Sequence, residues 1–248
     1  MTTRKQQPAA NPIRQQQRQA TGPGAPRRTV RSYVLRAGRS TIAQQRALAD
    51  LWPLYGVEFT SQPLDLDELF ARGAPRMMEI GFGAGEALLA FAHAHPDMDC
   101  IGVEVHRPGV GHLLLGAHEA GLTNLRIICH DAVEVLQQQM PPASLALAHI
   151  FFPDPWHKKR HHKRRLIQPA FMDALATAIA PAGTLRLATD WEHYAQHMRD
   201  VIDVHPGFRN ISPDTGFVPR NEERPLTRFE HRGQRLGHDV WDLEYVRR

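Results

Sequence analysis

One short stretch constrains the fold of this chain more than any other, because a strand-like run, a glycine turn and a helical pattern follow one another directly. Arg76–Ile80 has the composition of a short buried strand, Gly81 and Gly83 belong to a GxGxG turn, and an apolar helical pattern starts at Glu86. This order opens a βαβ nucleotide-binding unit. It predicts an α/β fold with a doubly wound, mostly parallel sheet that binds ligands at the carboxyl ends of its strands.

Acidic residues stand at the ends of three successive predicted strands. Glu79 closes the first strand, Glu104 lies near the end of a strand over 99–105, and Asp131 follows a strand over 125–129. Glu104 comes 23 positions after the first glycine of the turn, close to the ~20-residue offset of a carboxylate that binds ribose hydroxyls. An acid beside the turn would repel a pyrophosphate but attract the cationic methionine end of S-adenosylmethionine. With Asp131 within reach of the adenine amino group, the acids predict an S-adenosylmethionine site.

The apolar periodicity downstream predicts the rest of the sheet. A proline-glycine break at 181–183 separates a helix from the strand that follows it. The predicted elements are strands over 145–152 and 184–189, helices over 165–180 and 191–204, and a final antiparallel pair over 207–211 and 239–246.

A second unusual stretch holds an acidic residue between two prolines. Asp154 lies between Pro153 and Pro155, which fix φ and remove two backbone donors, so we expect it on a stiff turn at a strand end. Six lysines and arginines follow within residues 158–165, the segment called the basic run below. Such a cluster suits a polyanion, and the two features together predict chemistry on a nucleic-acid base. The predicted RNA-binding residues are Arg160, His161, His162, Lys163, Arg164 and Arg165.

Two side-chain types in this stretch allow more than one interpretation. His157, His161 and His162 could ligate a metal, but the surrounding cations would repel it and a further ligand at a telling spacing is absent from the sequence, so we expect no metal site. Trp156 either stacks on a base or wedges the turn against the core, and the sequence does not separate the two.

The chain resembles the bacterial tRNA (guanine-N7-)-methyltransferase family from about residue 31 to its C-terminus. The segments that carry the resemblance are Glu79-Ile-Gly-Phe-Gly, Phe152-Pro-Asp-Pro-Trp-His-Lys-Lys, Ala188-Thr-Asp190, and Arg224-Pro-Leu-Thr-Arg-Phe-Glu230 with 233–238 behind it. The resemblance implies a class I, Rossmann-like methyltransferase that uses S-adenosyl-L-methionine. Its implied reaction is methyl transfer to N7 of the guanosine at position 46 in the tRNA variable loop.

The resemblance also implies roles for individual residues. Glu79, Glu104, Asp131 and Asp154 match the family's cofactor-binding acids, and Asp154 also matches its proposed catalytic residue. The positions that match substrate contacts are Lys158, Asp190, Thr227, Arg228, Phe229 and Glu230. Two residues depart from the family pattern: Arg228 stands where Lys is usual, and His162 where Asn is common.

Composition and charge agree with one methyltransferase domain over 29–248. The chain has 248 residues, 42% of them hydrophobic, and its first 49 residues carry ten lysines and arginines but no acid. Residues 1–28 contain almost no large apolar side chains, and their composition predicts a disordered basic arm. The sequence contains no apolar run near the ~20 residues of a membrane span. Cys100 and Cys129 lie in predicted buried strands, which suits free thiols in the cytoplasm. We expect a monomer or homodimer with tRNA as partner.

The reaction explains why little catalytic machinery is visible. N7 of neutral guanine has a free lone pair, so a general base is unnecessary and positioning can supply much of the rate. The guanine becomes cationic, and Asp154 could stabilise that charge. Without a Cys nucleophile and assisting base, C5-pyrimidine methylation is disfavoured.

Two alternatives stay open at this point. An amino-group methyltransferase of the adenine N6 type would account for the Asp-Pro-aromatic order at Asp154. A non-catalytic RNA-binding subunit with a vestigial cofactor fold would account for the basic run.

Overall fold

A computed structural model of the protein describes residues 31–34, 40–212, 214–221, 224, 230 and 239–248. Residues 32–248 form one compact unit. The basic arm predicted over 1–28 lies outside the described residues, and so do Thr227, Arg228 and Phe229. The domain boundary at residue 29 stays a prediction.

The strands of the described residues form one eight-stranded sheet in the order β1-β4-β3-β2-β5-β6-β8-β7. Neighbouring strands from β1 to β6 are parallel, whereas β8 is antiparallel to both β6 and β7. The sheet confirms the predicted doubly wound α/β class and the final antiparallel pair. Its strands are β1 (Gly56–Val57), β2 (Arg76–Ile80), β3 (Asp99–Val103), β4 (Leu125–Ile128), β5 (Leu145–Phe151), β6 (Ile179–Thr189), β7 (Phe208–Asn210) and β8 (Trp241–Arg247).

Helices cover both faces of this sheet. Met77 and Met78 are consecutive residues of β2 and therefore point to opposite faces. The core around Met78 includes buried side chains of the helices over 66–70, 169–178 and 192–202, and the core around Met77 includes those of the helices over 42–50, 86–94 and 107–119. The helices are α1 (Ile42–Asp50), α2 (Trp52–Tyr55), α3 (Leu66–Phe70), α4 (Glu86–Ala94), α5 (Arg107–Glu119), α6 (Ala132–Glu134), α7 (Pro169–Ala178) and α8 (Glu192–Ile202), with a π-helical turn over Val135–Gln139 and a 3₁₀ helix over Lys159–Arg164.

The helix predicted over 165–180 is shorter than expected. It begins at Pro169, because Gln168 is extended at φ −139° and ψ 156°, the conformation that a following proline favours. The chain then enters β6 at Ile179 rather than at residue 184. Pro181 and Gly183 therefore lie within the strand, where Ala182 between them has a left-handed φ of 66°.

Both cysteines are free. Burial raises the pKa of the Cys100 thiol to about 12 and that of the Cys129 thiol to about 11, so both are protonated at neutral pH. Within the described segments, the helices are too short or too polar to cross a membrane.

Candidate active site

The glycine turn between β2 and α4 forms the floor of the site. Gly81, Gly83 and Gly85 have φ values of 75°, 60° and 81°, a region that side chains disfavour. A Cβ on Gly81 or Gly83 would point into open space, whereas one on Gly109 of α5 would lie 1.9 Å from the Gly83 carbonyl oxygen. The missing side chain at Gly109 therefore lets α5 pack directly against the turn.

Glu79 lies beside this turn as a buried acid. The residue is 3% exposed, and its Oε2 has no hydrogen-bond partner. Burial raises the pKa of Glu79 to about 8. The paired residue on β5 is His149, whose pKa burial and the nearby Arg186 lower to about 3. His149 is therefore neutral and gives Glu79 no positive charge.

The second predicted acid is fixed by backbone amides. Oε2 of Glu104 accepts a hydrogen bond from Gly83 N at 2.9 Å. Its Oε1 accepts from Val105 N at 2.6 Å and from His106 N at 2.8 Å. The carboxylate thus joins the end of β3 to the glycine turn and holds one orientation.

Asp131 both caps a helix and faces the site. Its Oδ1 accepts a hydrogen bond from Val133 N at 3.0 Å at the start of α6. The same residue lines a cleft of about 870 Å³. Capping and a cofactor contact therefore do not exclude each other at this position.

The cleft brings the predicted cofactor residues together. Gly81, Gly83, Glu104, Asp131 and Asp154 line it, and Glu79 lines an adjoining recess of about 590 Å³ that shares the two glycines and Phe152. Ser32 and Tyr33 also line the cleft. Sequence reasoning missed these two, because nothing in their local pattern marks a site.

The turn that carries Asp154 is strained at both ends. Phe152 and Trp156 have left-handed φ values of 51° and 50°, which cost a non-glycine residue on the order of 1–3 kcal/mol. Phe152 N donates to the Ala188 carbonyl at 2.8 Å, which continues the pairing of β5 with β6 past the strand end. Asp154, between them, is exposed.

Trp156 anchors this turn. Its Nε1 donates to the Ser32 carbonyl at 3.0 Å, and the Arg164 guanidinium lies 5.1 Å from its ring centre. These contacts hold the half-buried ring in place, and stacking of Trp156 on a base stays a prediction.

The structure corrects the prediction for one residue of the basic run, because Arg165 is buried. It is 2% exposed; Nε donates to the Pro155 carbonyl at 3.0 Å, and Nη2 lies 3.1 Å from His193 Nδ1. An arginine in this position supports the turn and does not present its guanidinium to RNA. The other predicted RNA-binding residues are exposed or half-buried: Arg160, His161, His162, Lys163 and Arg164.

Arg224 supports the turn from the other side. Its guanidinium carbon lies 5.4 Å from the Phe151 ring centre and 5.3 Å from that of Phe152. It forms ion pairs with Glu230 at 2.6 Å and with Asp242 of β8 at 3.2 Å. Sequence reasoning gave Arg224 no role, although it begins one of the family-like segments.

The position of Glu230 does not agree with its predicted role as a substrate contact. It is fully buried, and Arg220 at 3.3 Å joins Arg224 in pairing with its carboxylate. A carboxylate held between two guanidinium groups maintains this part of the fold. The remaining predicted substrate residues in the described part are Lys158, which is exposed, and Asp190, which is half-buried at the end of β6.

Among the described residues, no three His, Cys, Asp or Glu side chains are grouped so that they could hold a metal ion.

A fold with a glycine turn, acids at successive strand ends and one cleft across them defines a Rossmann-like methyltransferase. Residues 73–243 match a family model described as a putative methyltransferase.

Relatives with known names identify the family. The chain is 56% identical over 220 residues to a tRNA (guanine-N(7)-)-methyltransferase of Edwardsiella ictaluri (strain 93-146), covering 89% of this chain and 92% of that protein. It is 53% identical over 232 residues to the protein of the same name from Ectopseudomonas mendocina (strain ymp), covering 94% and 98%. The chain belongs to the tRNA (guanine-N(7)-)-methyltransferase family, which confirms the predicted family and the cofactor, S-adenosylmethionine.

A solved structure supports the fold. The 16S rRNA methyltransferase KamB superposes with a TM-score of 0.50 at 16% identity, covering 75% of this chain and 94% of KamB.

We predict that Glu79→Gln stabilises the cofactor-free protein at alkaline pH. The pKa of Glu79 is about 8 when folded against 4.5 as the ordinary value. The folded state therefore keeps a proton that the unfolded chain loses, and wild-type stability falls as pH rises between these two values. A neutral glutamine does not show this pH-dependent decline. Urea unfolding at about pH 5.5 and about pH 8.5 should show a larger advantage of the variant at the higher pH.

Glu119→Gln, at an exposed carboxylate of α5, is the matched control for charge removal. Glu79→Gln should also bind S-adenosylmethionine more weakly, because an amide cannot balance a cation. Parallel stability curves of wild type and Glu79→Gln across this pH range would contradict the burial argument.

Proposed function

We propose that this protein transfers a methyl group from S-adenosyl-L-methionine to N7 of the guanosine at position 46 in the tRNA variable loop. The observation that carries the proposal is the position of Asp154. This exposed carboxylate sits on a rigid turn that lines the cofactor cleft, and the basic run continues from the same turn. The names of the relatives support the same substrate class.

The residues of the cleft fit the cofactor. Glu79 has a buried oxygen without a partner, which is costly unless a ligand satisfies it, and a cationic ammonium group does so. Oε2 of Glu104 accepts one backbone hydrogen bond and can accept another from a ribose hydroxyl. Asp131 would accept from the adenine amino group. When bound, the cofactor supplies an electrophilic methyl group.

Asp154 would act through charge and position. N7 of guanine needs no deprotonation, and the purine becomes cationic as it is methylated. The carboxylate of Asp154 can accept hydrogen bonds from the N1–H and amino group of guanine, bonds that strengthen as the ring becomes positive. Because the turn is already fixed, little reorganisation is needed during the reaction.

The exposed part of the basic run would contact the tRNA backbone. Lys158, Arg160 and Lys163 are exposed, and Arg164 is half-buried over Trp156. Asp190 and the segment with Thr227, Arg228 and Phe229 remain proposed guanosine contacts, and Phe229 or Arg228 would stack on the base. We expect the protein to act in the cytoplasm as a monomer or homodimer, without a metal ion.

Nucleoside analysis tests the proposed function. Incubation of an unmodified tRNA transcript with the protein and isotope-labelled S-adenosylmethionine should give labelled N7-methylguanosine in mass spectrometry. A transcript with adenosine in place of guanosine 46 is the matched control and should stay unlabelled. Labelled N6-methyladenosine would indicate the amino-group alternative. Cofactor binding without any label would indicate a non-catalytic RNA-binding subunit.

We predict that Arg160→Gln with Lys163→Gln weakens binding to all tRNAs alike. Both side chains are exposed, and the salt dependence of log K should fall by roughly 0.7–0.9 for every phosphate that the protein no longer neutralises. Filter binding across a salt series measures the slope. Arg165→Gln is the control, because its buried guanidinium supports Pro155: it should lower the melting temperature and leave the slope unchanged. An unchanged slope in the double variant would show that these two residues do not bind phosphate.

A further inference from the structure

Trp191 is the exposed tryptophan of this protein. It is 37% exposed, whereas the other three tryptophans, all within the described residues, are partly buried. Two of those use their indole N–H inside the fold: Trp52 donates to Glu58 at 2.6 Å and Trp156 to Ser32 at 3.0 Å. Those hydrogen bonds, and the packing of Trp52 against the core around Met77, give these two tryptophans a structural role.

Trp191 lies at the rim of the proposed active site. It follows Asp190 after the carboxyl end of β6 and precedes α8. That end of β6 pairs with the end of β5, from which the turn with Asp154 continues. The ring of His157 meets the indole in a T-shaped contact, with ring centres 4.3 Å apart. The indole therefore contacts the residue that joins the turn of Asp154 to the basic run.

The His157 contact prepares the indole for a ligand. A ring held in place by a neighbour loses less freedom on binding than a mobile side chain does. An exposed aromatic ring beside a basic cluster is the pairing with which proteins bind unpaired nucleotides, since the ring stacks on a base while cations contact phosphate.

We propose that the indole of Trp191 stacks on an unpaired base next to the target guanosine in the same tRNA loop. The inference rests on the proposed function for its substrate. Asp190 is the proposed contact for the target guanosine, and Trp191, which follows Asp190 after the carboxyl end of β6, is assigned the neighbouring base. Trp191 would then hold the loop while the target base enters the cleft.

The test is an affinity cycle without cofactor. Wild type, Trp191→Phe and Trp191→Leu are titrated with a tRNA transcript and with two transcripts that are abasic at one or the other nucleotide flanking the target. Trp191→Leu should weaken binding of the intact tRNA by about 5- to 150-fold, the range for removal of one base stack, and Trp191→Phe should keep most of the affinity. For wild type, one of the two abasic tRNAs should bind more weakly than the intact tRNA. For Trp191→Leu, that abasic tRNA and the intact tRNA should bind with equal affinity.

Circular dichroism and melting temperature show whether the variants fold. If the reductions in affinity from Trp191→Leu and from both abasic sites multiply, the indole does not touch those bases and the proposal is wrong. If affinity is unchanged but the single-turnover rate at saturating tRNA falls, the ring faces the target guanine, which also overturns it. Because the cycle needs no methyl transfer, its result is independent of the nucleoside analysis that tests the proposed function.

Discussion

Two buried arginines hold the turn on which the rest of the site depends. Arg165 donates to the Pro155 carbonyl, and Arg224 lies over the rings of Phe151 and Phe152. Left-handed residues at both ends of such a turn persist only where the surroundings over-determine them. The carbonyl, His193, Glu230 and Asp242 offset part of the cost of burying two guanidinium groups, whereas Nη1 of Arg165 and Nε of Arg224 have no hydrogen-bond partner. The consequence is an exposed carboxylate at Asp154 with a fixed position at the edge of the cleft.

The site divides its acids by environment. Glu79 is buried, without a partner for one oxygen, and its pKa is raised to about 8, so a cationic ligand stabilises its charged form. Glu104 is held by three backbone amides and suits neutral hydroxyls. Asp154 is exposed and lines the cleft. One edge of the sheet thereby holds three carboxylates in different environments, which are the proposed contacts for the cofactor's charge, its ribose and the substrate.

The sequence predicted those features of the site that depend on the spacing of residues close together in the chain. The strand, glycine turn and helix at residues 76–94 and the acids at strand ends follow from short patterns, and parallel strands bring such ends to one edge. The burial of Arg165 depends on His193, which is distant in the chain, and Glu230 is buried against Arg224, whose guanidinium pairs with Asp242 of β8. Local sequence does not show these pairings, so the charges of Arg165 and Glu230 suggested exposed roles. Pro169 could have corrected the start of α7, because the residue before a proline avoids helical geometry.

The charge of Asp154, held in place by its turn, is the central claim, and Asp154→Asn tests it most directly. The substitution keeps the shape of the side chain and removes its charge. Single-turnover methylation at saturating S-adenosylmethionine and tRNA should fall by about 100-fold or more, as on removal of one preorganised electrostatic group. The affinity for tRNA should stay within about threefold of wild type, since binding energy resides mainly in phosphate contacts. Equal reductions of rate and affinity would contradict the account and make Asp154 a docking residue.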